Sequence, residues 1–396
     1  MPWSVRTTLT IALAGALLQL YVARRAVLAI AFLTGWPKAR LSIAAGAIFL
    51  FLELLPLSLL LTYAFGVDTS FQASALFDLA VTYPFWIGIV LGAQLFIVVL
   101  AMDLVKLALF PVYRRKKSGW RIFEAWVIVI AVGLASLYVS ARVYNDTFQL
   151  RIRTTDLKVA NLPPGLAGLR IVHIADIQVD SRTNTSKLDP YIALINSLKP
   201  DLILFSGDAV TSGTSFVEQA ADTLSKLNSR FGTYACVGDH DYFADRKFVV
   251  DQLEARAIVV LENKTTSVAI DGGSVAITGV TNVYRNQVSE QTVASLSRAR
   301  VPASLSILLT HQPSPWLVKS AAANEYDLFL AGHTHGGQIV FPLPGFLLTG
   351  SSFETKYVTG FYRVGPMFVS INNGLGLTLA PIRYHAPAEV TLIVLR

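Results

Sequence analysis

The sequence predicts two dissimilar parts, a bundle of membrane-spanning helices over residues 1–145 and an α/β sandwich with helices outside over residues 155–396. Three observations predict this. Mean hydropathy is +0.52 and only 15% of residues are charged, because long apolar stretches crowd the first third of the chain. Charge is divided the same way: residues 1–150 hold 12 Lys/Arg against 6 Asp/Glu, a surplus of +6, while the remainder holds 21 against 20, or +1. After about residue 165, short β-branched apolar runs end abruptly in polar residues and alternate with helix-like segments, the signature of buried strands and packing helices.

Four apolar stretches are candidate spans: Thr8–Ala23, Leu41–Tyr63, Phe85–Phe110 and Ile122–Val139. Crossing the hydrocarbon layer takes about 20 mostly apolar residues. The first stretch is short because Arg24 and Arg25 interrupt it. The segment Ala26–Trp36 that follows is expected to lie on the surface or to extend the helix, giving four spans or five. A cleavable signal peptide is disfavoured, since three further spans follow and no small-residue cleavage site stands out. Lys and Arg in short loops set orientation. Arg24, Arg25, Lys38 and Arg40 fall in the first loop, none falls in 64–84, and Arg114, Arg115, Lys116, Lys117 and Arg121 fall in the next. This alternation places the chain in the cell (inner) membrane as a multi-pass protein, with everything after Tyr144 outside the cytoplasm. Glu53, Asp103, Lys106 and Glu124 lie within spans. Asp103 and Lys106, three apart on one helical face, can pair. Glu53 is expected deep in its span, with an interhelical hydrogen bond as the plain reading and a transport or lipid-headgroup role as the alternative.

A polar passage, Arg151–Lys158, followed by Pro163-Pro164-Gly165, marks the handover to the second part. The strand candidates there are Leu169–Ala175, Leu202–Ser206, Thr233–Val237, Val275–Gly279, Leu305–Thr310, Leu328–Ala331, Phe368–Ile371 and Val390–Leu395. Pro190–Leu198 and Phe216–Leu227 carry helical patterns. The near-neutral second part has no basic stripe of the kind nucleic acid selects. Cys236 is the one cysteine and reads as a buried small hydrophobe. A Gly-rich Lys-Ser/Thr phosphate loop is absent, which disfavours nucleotide-driven kinase or ATPase chemistry.

The residues that follow the strands carry the chemistry. They are Asp176-Ile177-Gln178, Gly207-Asp208, Gly238-Asp239-His240-Asp241, His311-Gln312-Pro313 and Gly332-His333-Thr334-His335-Gly336-Gly337. In an open α/β sheet, loops leaving the carboxyl ends of strands meet on one rim, so four of the six histidines and three aspartates would converge. Carboxylates with imidazoles suit Mn2+, Fe2+ and Zn2+. Taken singly, Asp176 or Asp208 could be a helix cap and His311 a turn residue. Taken together, a packing explanation fails. His173, in mid-strand, and His385, in a late proline-flanked loop, read as structural, and Asp180 and Asp241 as capping or supporting groups.

This ordered set of five motifs resembles the calcineurin-like metallophosphoesterase family, over residues 155–396. The ending, Gly332–Ile339 with Gly374-Leu375-Gly376 and Pro381-Ile382-Arg383, is similar to a bacterial membrane-associated phosphodiesterase branch. The resemblance implies an α/β/β/α sandwich and two divalent metal ions, Mn2+ first, with Fe2+, Zn2+ or Mg2+ as alternatives. It implies that Asp176, Gln178 and His335 ligate the first ion, that Asp239, His311 and His333 ligate the second, and that Asp208 bridges both. His240 matches the histidine that faces the leaving group, and with Asp208 is assigned to catalysis. Gln178 stands where histidine is usual and Asp239 where asparagine is usual. Its amide oxygen lets Gln178 still coordinate, and the added charge of Asp239 biases the site toward hard ions. The expected activity is hydrolysis of phosphodiester or pyrophosphate bonds by a metal-bridging hydroxide. The tether points to a lipid bilayer as partner and to a lipid-borne or envelope phosphate ester as substrate. The competing reading is a multi-span transporter or sensor in which the phosphatase-like part only binds metal.

Overall fold

The computed structural model describes residues 2–66, 74–159, 161–284, 287–299 and 302–396. It divides into two compact units, Met1–Asn145 with Leu379–Ile382, and Asp146–Thr378 with Arg383–Arg396.

Among the described residues three helices are long and apolar enough to cross a membrane: Trp3–Thr34, Ala75–Ala108 (entered through a π-helical turn, Asp78–Thr82) and Lys117–Phe148. The pair Lys38–Leu52 and Leu54–Phe65, bent by 55°, makes a fourth if it is one broken span. Of the two alternatives for Ala26–Trp36 the structure takes the extension: the first helix runs through Arg24 and Arg25 to a left-handed cap at Gly35, φ 73°. Asp103 does not take Lys106 as its partner. Arg25 reaches Asp103 at 2.5 Å and also pairs with Glu124, while Lys106 pairs with Glu124 at 3.1 Å. An arginine is tolerated inside an apolar helix because carboxylates on two other helices neutralise it. Glu53 sits at the bend between two helices rather than deep in a continuous one. Pro56 accounts for the break, since it can donate no hydrogen bond to the Leu52 carbonyl and its ring crowds that oxygen. The expected Lys/Arg-free loop at 64–84 lies partly outside the described residues.

Among its described residues the second unit has fourteen strands. These are β1 (Arg151–Leu157), β2 (Arg170–Ile174), β3 (Leu202–Phe205), β4 (Thr233–Ala235), β5 (Ile258–Val260), β6 (Lys264–Ile270) and β7 (Gly273–Val280), followed by β8 (Leu305–Thr310), β9 (Leu328–Ala331), β10 (Phe341–Leu343), β11 (Phe346–Leu348), β12 (Gly360–Val364), β13 (Met367–Ile371) and β14 (Glu389–Leu395). Two six-stranded mixed sheets have the orders β1-β14-β2-β3-β4-β5 and β12-β13-β9-β8-β7-β6, and β10 and β11 form a separate hairpin. The passage Arg151–Lys158 is therefore largely a strand, not a linker: β1 pairs in parallel with β14, Arg151 opposite Glu389.

Layering follows from which side chains the strands bury. Ile171, Leu202 and Leu204 of the first sheet form one core with Ile277, Ile307, Leu328 and Leu330 of the second. On its outer face the first sheet packs Val172, Ile203 and Phe205 against helix residues Leu188, Ala220 and Val249. The second sheet packs Leu308 and Phe329 against Val293, Leu317 and Ala321. The result is helix, sheet, sheet, helix. Strands apolar on both faces are what a sheet buried on both sides demands, and β3, β8 and β9 are buried at every position.

Candidate metal centre

The site lies in the loops that follow β2, β3, β4, β8 and β9. Backbone bonds zip the first two loops together, Asp176 N donating to the Gly207 carbonyl at 2.9 Å and Gln178 N to the Asp208 carbonyl at 3.1 Å. Five of the seven expected ligands adopt left-handed backbone: Asp176 (φ 47°), Gln178 (46°), Asp208 (62°), His333 (70°) and His335 (50°). Such conformations cost non-glycine residues about 1–3 kcal/mol each and persist where the surroundings enforce them, typically at functional sites. Glycine is needed where chains meet. A Cβ at Gly238 would strike the Asp208 carboxylate, and one at Gly374 (φ 72°) would strike the Asp176 side chain.

The side chains converge. Asp176, Asp208 and His311 offer ligand atoms within 4.8 Å of one another, as do Asp239, His311 and His333. His311 Nε2 lies 2.8 Å from Asp239 Oδ1 and 3.3 Å from Asp208 Oδ2. Its other nitrogen, Nδ1, faces the Ser206 carbonyl at 2.8 Å. A carbonyl only accepts, so Nδ1 carries a proton, and loss of the Nε2 proton to an incoming cation would turn the Nε2 lone pair to the cluster. His333 is turned the opposite way, with Nδ1 3.1 Å from Asp239 Oδ1 and Nε2 3.1 Å from Glu354 Oε1. Gln178 Nε2 donates to Asp208 Oδ2 at 2.8 Å. His335 Nε2 stands farthest out, 3.6 Å from Asp176 Oδ1.

The electrostatics are those of a site short of positive charge. Burial and the neighbouring Asp208 push the Asp176 carboxyl up to about 7. Burial opposes charge on the His311 ring, but the Asp208 carboxylate prevails and holds its pKa well above the usual value. His335 goes the other way: burial first, then the Arg383 guanidinium, keep it neutral. Asp241, raised to about 6 by burial and by Asp208, is a brace. It accepts from the backbone N–H groups of Asp208 (2.9 Å), Ala209 (2.8 Å) and Gly238 (2.9 Å). Asp180 does the same locally for Arg182 and Thr183.

The donor set fits divalent cations. Asp208 is acceptor-only, so the Gln178 amide must turn its nitrogen to it. That leaves Gln178 Oε1 buried and without a hydrogen-bond partner. An orphaned buried acceptor on an amide held by the Asp208 carboxylate is costly unless a cation takes it up. Imidazole lone pairs and carboxylates complete a set suited to Mn2+, Fe2+ or Zn2+.

His240 stands apart from these donors. Its backbone N–H donates to Asp208 Oδ1 at 3.0 Å, and its ring Nδ1 to the Thr211 carbonyl at 2.5 Å. His173 is a core residue against Ser206 Oγ, 3.0 Å away. The His385 N–H donates to Asp146 Oδ2 at 2.6 Å. Buried Cys236 has its thiol pKa raised by burial. Two further residues adjoin the cluster but carry no motif of their own in the sequence. Glu354 and Tyr284 both face His333 Nε2, at 3.1 Å and 3.2 Å. Arg383, fully buried, donates to the carbonyls of His335 (3.2 Å), Asn373 (2.8 Å) and Gly376 (2.7 Å), tying the histidine loop to the loop over Asp176. The Pro-Ile-Arg triplet flagged the position of Arg383 without its role.

Comparison with known proteins agrees with this geometry. Residues 169–337 match the family model for calcineurin-like phosphoesterases. Over 253 residues, 62% of this chain and 86% of the relative, the chain is 33% identical to the uncharacterized metallophosphoesterase YkuE of Bacillus subtilis. It is 30% identical over 243 residues to the phosphodiesterase YaeI of Escherichia coli, covering 60% of this chain and 86% of that protein. With a transmembrane protein with metallophosphoesterase domain from Bos taurus, identity is 28% over 258 residues, 62% of this chain and 57% of the relative. The chain belongs to the calcineurin-like phosphoesterase family and is a metal-dependent phosphoesterase whose N-terminal helices are long and apolar enough to span a membrane.

Proposed function

We propose that the cluster is a dinuclear centre that hydrolyses phosphodiester or pyrophosphate bonds, Mn2+ being the first-choice ion. The observation that carries the reading is that five donors converge in two overlapping groups, Asp176, Asp208 and His311 on one side and Asp239, His311 and His333 on the other, more than one cation needs. His311, with Nδ1 tied to the Ser206 carbonyl, would serve one ion through Nε2. Asp176, Gln178 and His335 would hold the first cation and Asp239, His311 and His333 the second. Asp208, with one oxygen toward Gln178 and the other toward the His240 backbone, would lie between. When bound, such a pair of cations supplies Lewis acidity toward a phosphoryl oxygen and a water made nucleophilic near neutral pH.

The chain's own groups do the rest. Thr211 fixes the His240 ring with its proton on Nδ1, leaving Nε2 for the substrate. Burial opposes charge on that ring, but Asp208 and Asp239 outweigh it and raise its pKa, so His240 can carry the proton that the departing ester oxygen needs. Asp239, in place of asparagine, deepens the negative potential at the second position and favours hard ions.

The phosphodiesterase name of the YaeI relative supports the diester reading. The Lys/Arg pattern supports a catalytic unit on the extracytoplasmic side of a multi-pass inner-membrane protein, and a bilayer that close points to a lipid-borne or envelope substrate. The decisive test is full-length protein in detergent, loaded with Mn2+, acting on bis(p-nitrophenyl) phosphate. Asp208→Asn should abolish turnover. Turnover unaffected by that change would contradict the metal-centre mechanism.

A further inference from the structure

The segment between the two histidines and Glu354 is unusual for a water-facing surface. From Gly336 to Phe353 it contains no charged residue in 18 positions. Within it the β10–β11 hairpin belongs to neither main sheet. All three residues of β11 are exposed, Phe346 by 58%, Leu347 by 37% and Leu348 by 38%, and Phe353 just beyond is 86% exposed. A two-stranded hairpin of this length is not stable by itself in water, and solvated hairpins ordinarily carry charged or polar tips. Four large apolar side chains presented without a single charge suit hydrocarbon.

The segment is also fastened to the metal-site loops. The Thr349 hydroxyl donates to the Gly337 carbonyl at 2.6 Å and the Ser351 hydroxyl to the Thr334 carbonyl at 3.1 Å. Thr355 donates to the Pro313 carbonyl at 2.9 Å, two residues after His311. Glu354, the residue after Phe353, contacts His333. The apolar surface is thus continuous in the chain with the centre at both ends, in a protein whose other unit holds membrane-length helices.

We infer that the β10–β11 hairpin and Phe353 form a docking surface for the alkyl chain of a lipid-borne phosphoester whose headgroup phosphate sits at the metal centre. The inference rests on the phosphodiesterase reading above and narrows its substrate class. Burial of apolar area removed from water supplies the binding, and each buried methylene adds to it.

The test uses two probes with the same reacting centre, p-nitrophenyl methyl phosphate and p-nitrophenyl dodecyl phosphate. In each, water adds to phosphorus, the P–O bond to the aryl group breaks, and p-nitrophenol leaves with an alkyl phosphate. Full-length protein in nanodiscs should show a kcat/KM at least tenfold higher for the dodecyl ester. The triple variant F346S/L348S/F353S should lose that preference through a raised KM and hold its methyl-ester kcat/KM within twofold. Partition of the dodecyl probe into the disc is common to both proteins and cancels in the comparison. No chain-length preference in the wild type, a preference retained by the variant, or parallel loss on both probes would overturn the inference. So would a variant that keeps the preference and loses self-association instead, which would assign the patch to a second copy of the chain. If the wild type cleaves neither probe, the phosphodiesterase reading fails. Calorimetric binding of dodecyl phosphate against methyl phosphate to the two Mn2+-loaded proteins then decides the docking surface, equal affinities in wild type and variant overturning it.

Discussion

Glu354 Oε1 lies 3.1 Å from His333 Nε2, while Nδ1 of the same ring points at Asp239 and at His311 Nε2, 3.1 Å and 3.2 Å away. Both carboxylates only accept. Burial notwithstanding, Asp239 and Glu354 raise the ring's pKa to about 9. A cation taken up beside Asp239 would displace the Nδ1 proton, while Glu354 would keep the remaining one on Nε2 and so leave Nδ1 as a ligand. Histidine ligands are commonly oriented in this way by an outer carboxylate, and loss of the outer group costs about 10–100-fold in metal affinity.

Glu354→Ala should therefore shift the Mn2+ concentration needed for half-maximal activity upward by about 10–100-fold. Glu354→Gln, which keeps an acceptor without the charge, should fall between. The measurement is activity against free Mn2+ for the three proteins. Superimposable titrations would show that Glu354 has no hold on His333.

His173, a core residue outside the donor set, predicts a pH dependence of stability. It is wholly buried, with Nε2 against Ser206 and Nδ1 without a partner. Burial takes its pKa from 6.5 down to about 3. Above pH 6.5 the ring is neutral folded or unfolded, and its contribution is fully present. As pH falls from 6.5 toward 3, only the unfolded chain takes up the proton, and stability falls by up to about 1.4 kcal/mol per pH unit. Comparison of His173→Gln with wild type between pH 6.5 and 4.5 should show the wild-type thermal midpoint falling more steeply. Equal slopes would contradict the assignment.

Orientation in the membrane is open to direct labelling. Ser186 is exposed near the start of the helix Thr185–Ser197, and the native Cys236 is buried. Ser186→Cys should react with a membrane-impermeant maleimide in intact cells. Reaction only after permeabilisation would place the catalytic unit in the cytoplasm.

How far these features could be read from sequence depended on where their partners lie. Strands buried on both faces announce themselves, and Leu305–Thr310 and Leu328–Ala331 coincide with β8 and β9. The polar residues that follow such strands marked the loops that converge in the candidate centre. Edge strands hide, because they carry polar side chains on their exposed face: Arg151–Leu157 reads as a linker until β14, more than 200 residues later, is set beside it. The helix running through Arg24 and Arg25 stood in the sequence only as one of two alternatives, since its compensation comes from Asp103 and Glu124, 78 and 99 positions from Arg25. Glu354, 21 residues beyond His333, stands in no motif. Only the fold brings it back.

The metal content of the purified full-length protein tests the central claim most directly. Elemental analysis after removal of loosely bound ions should find close to two divalent cations per chain, and clearly fewer in Asp208→Asn. A wild-type protein that holds no stoichiometric metal, even after incubation with Mn2+, would contradict the account.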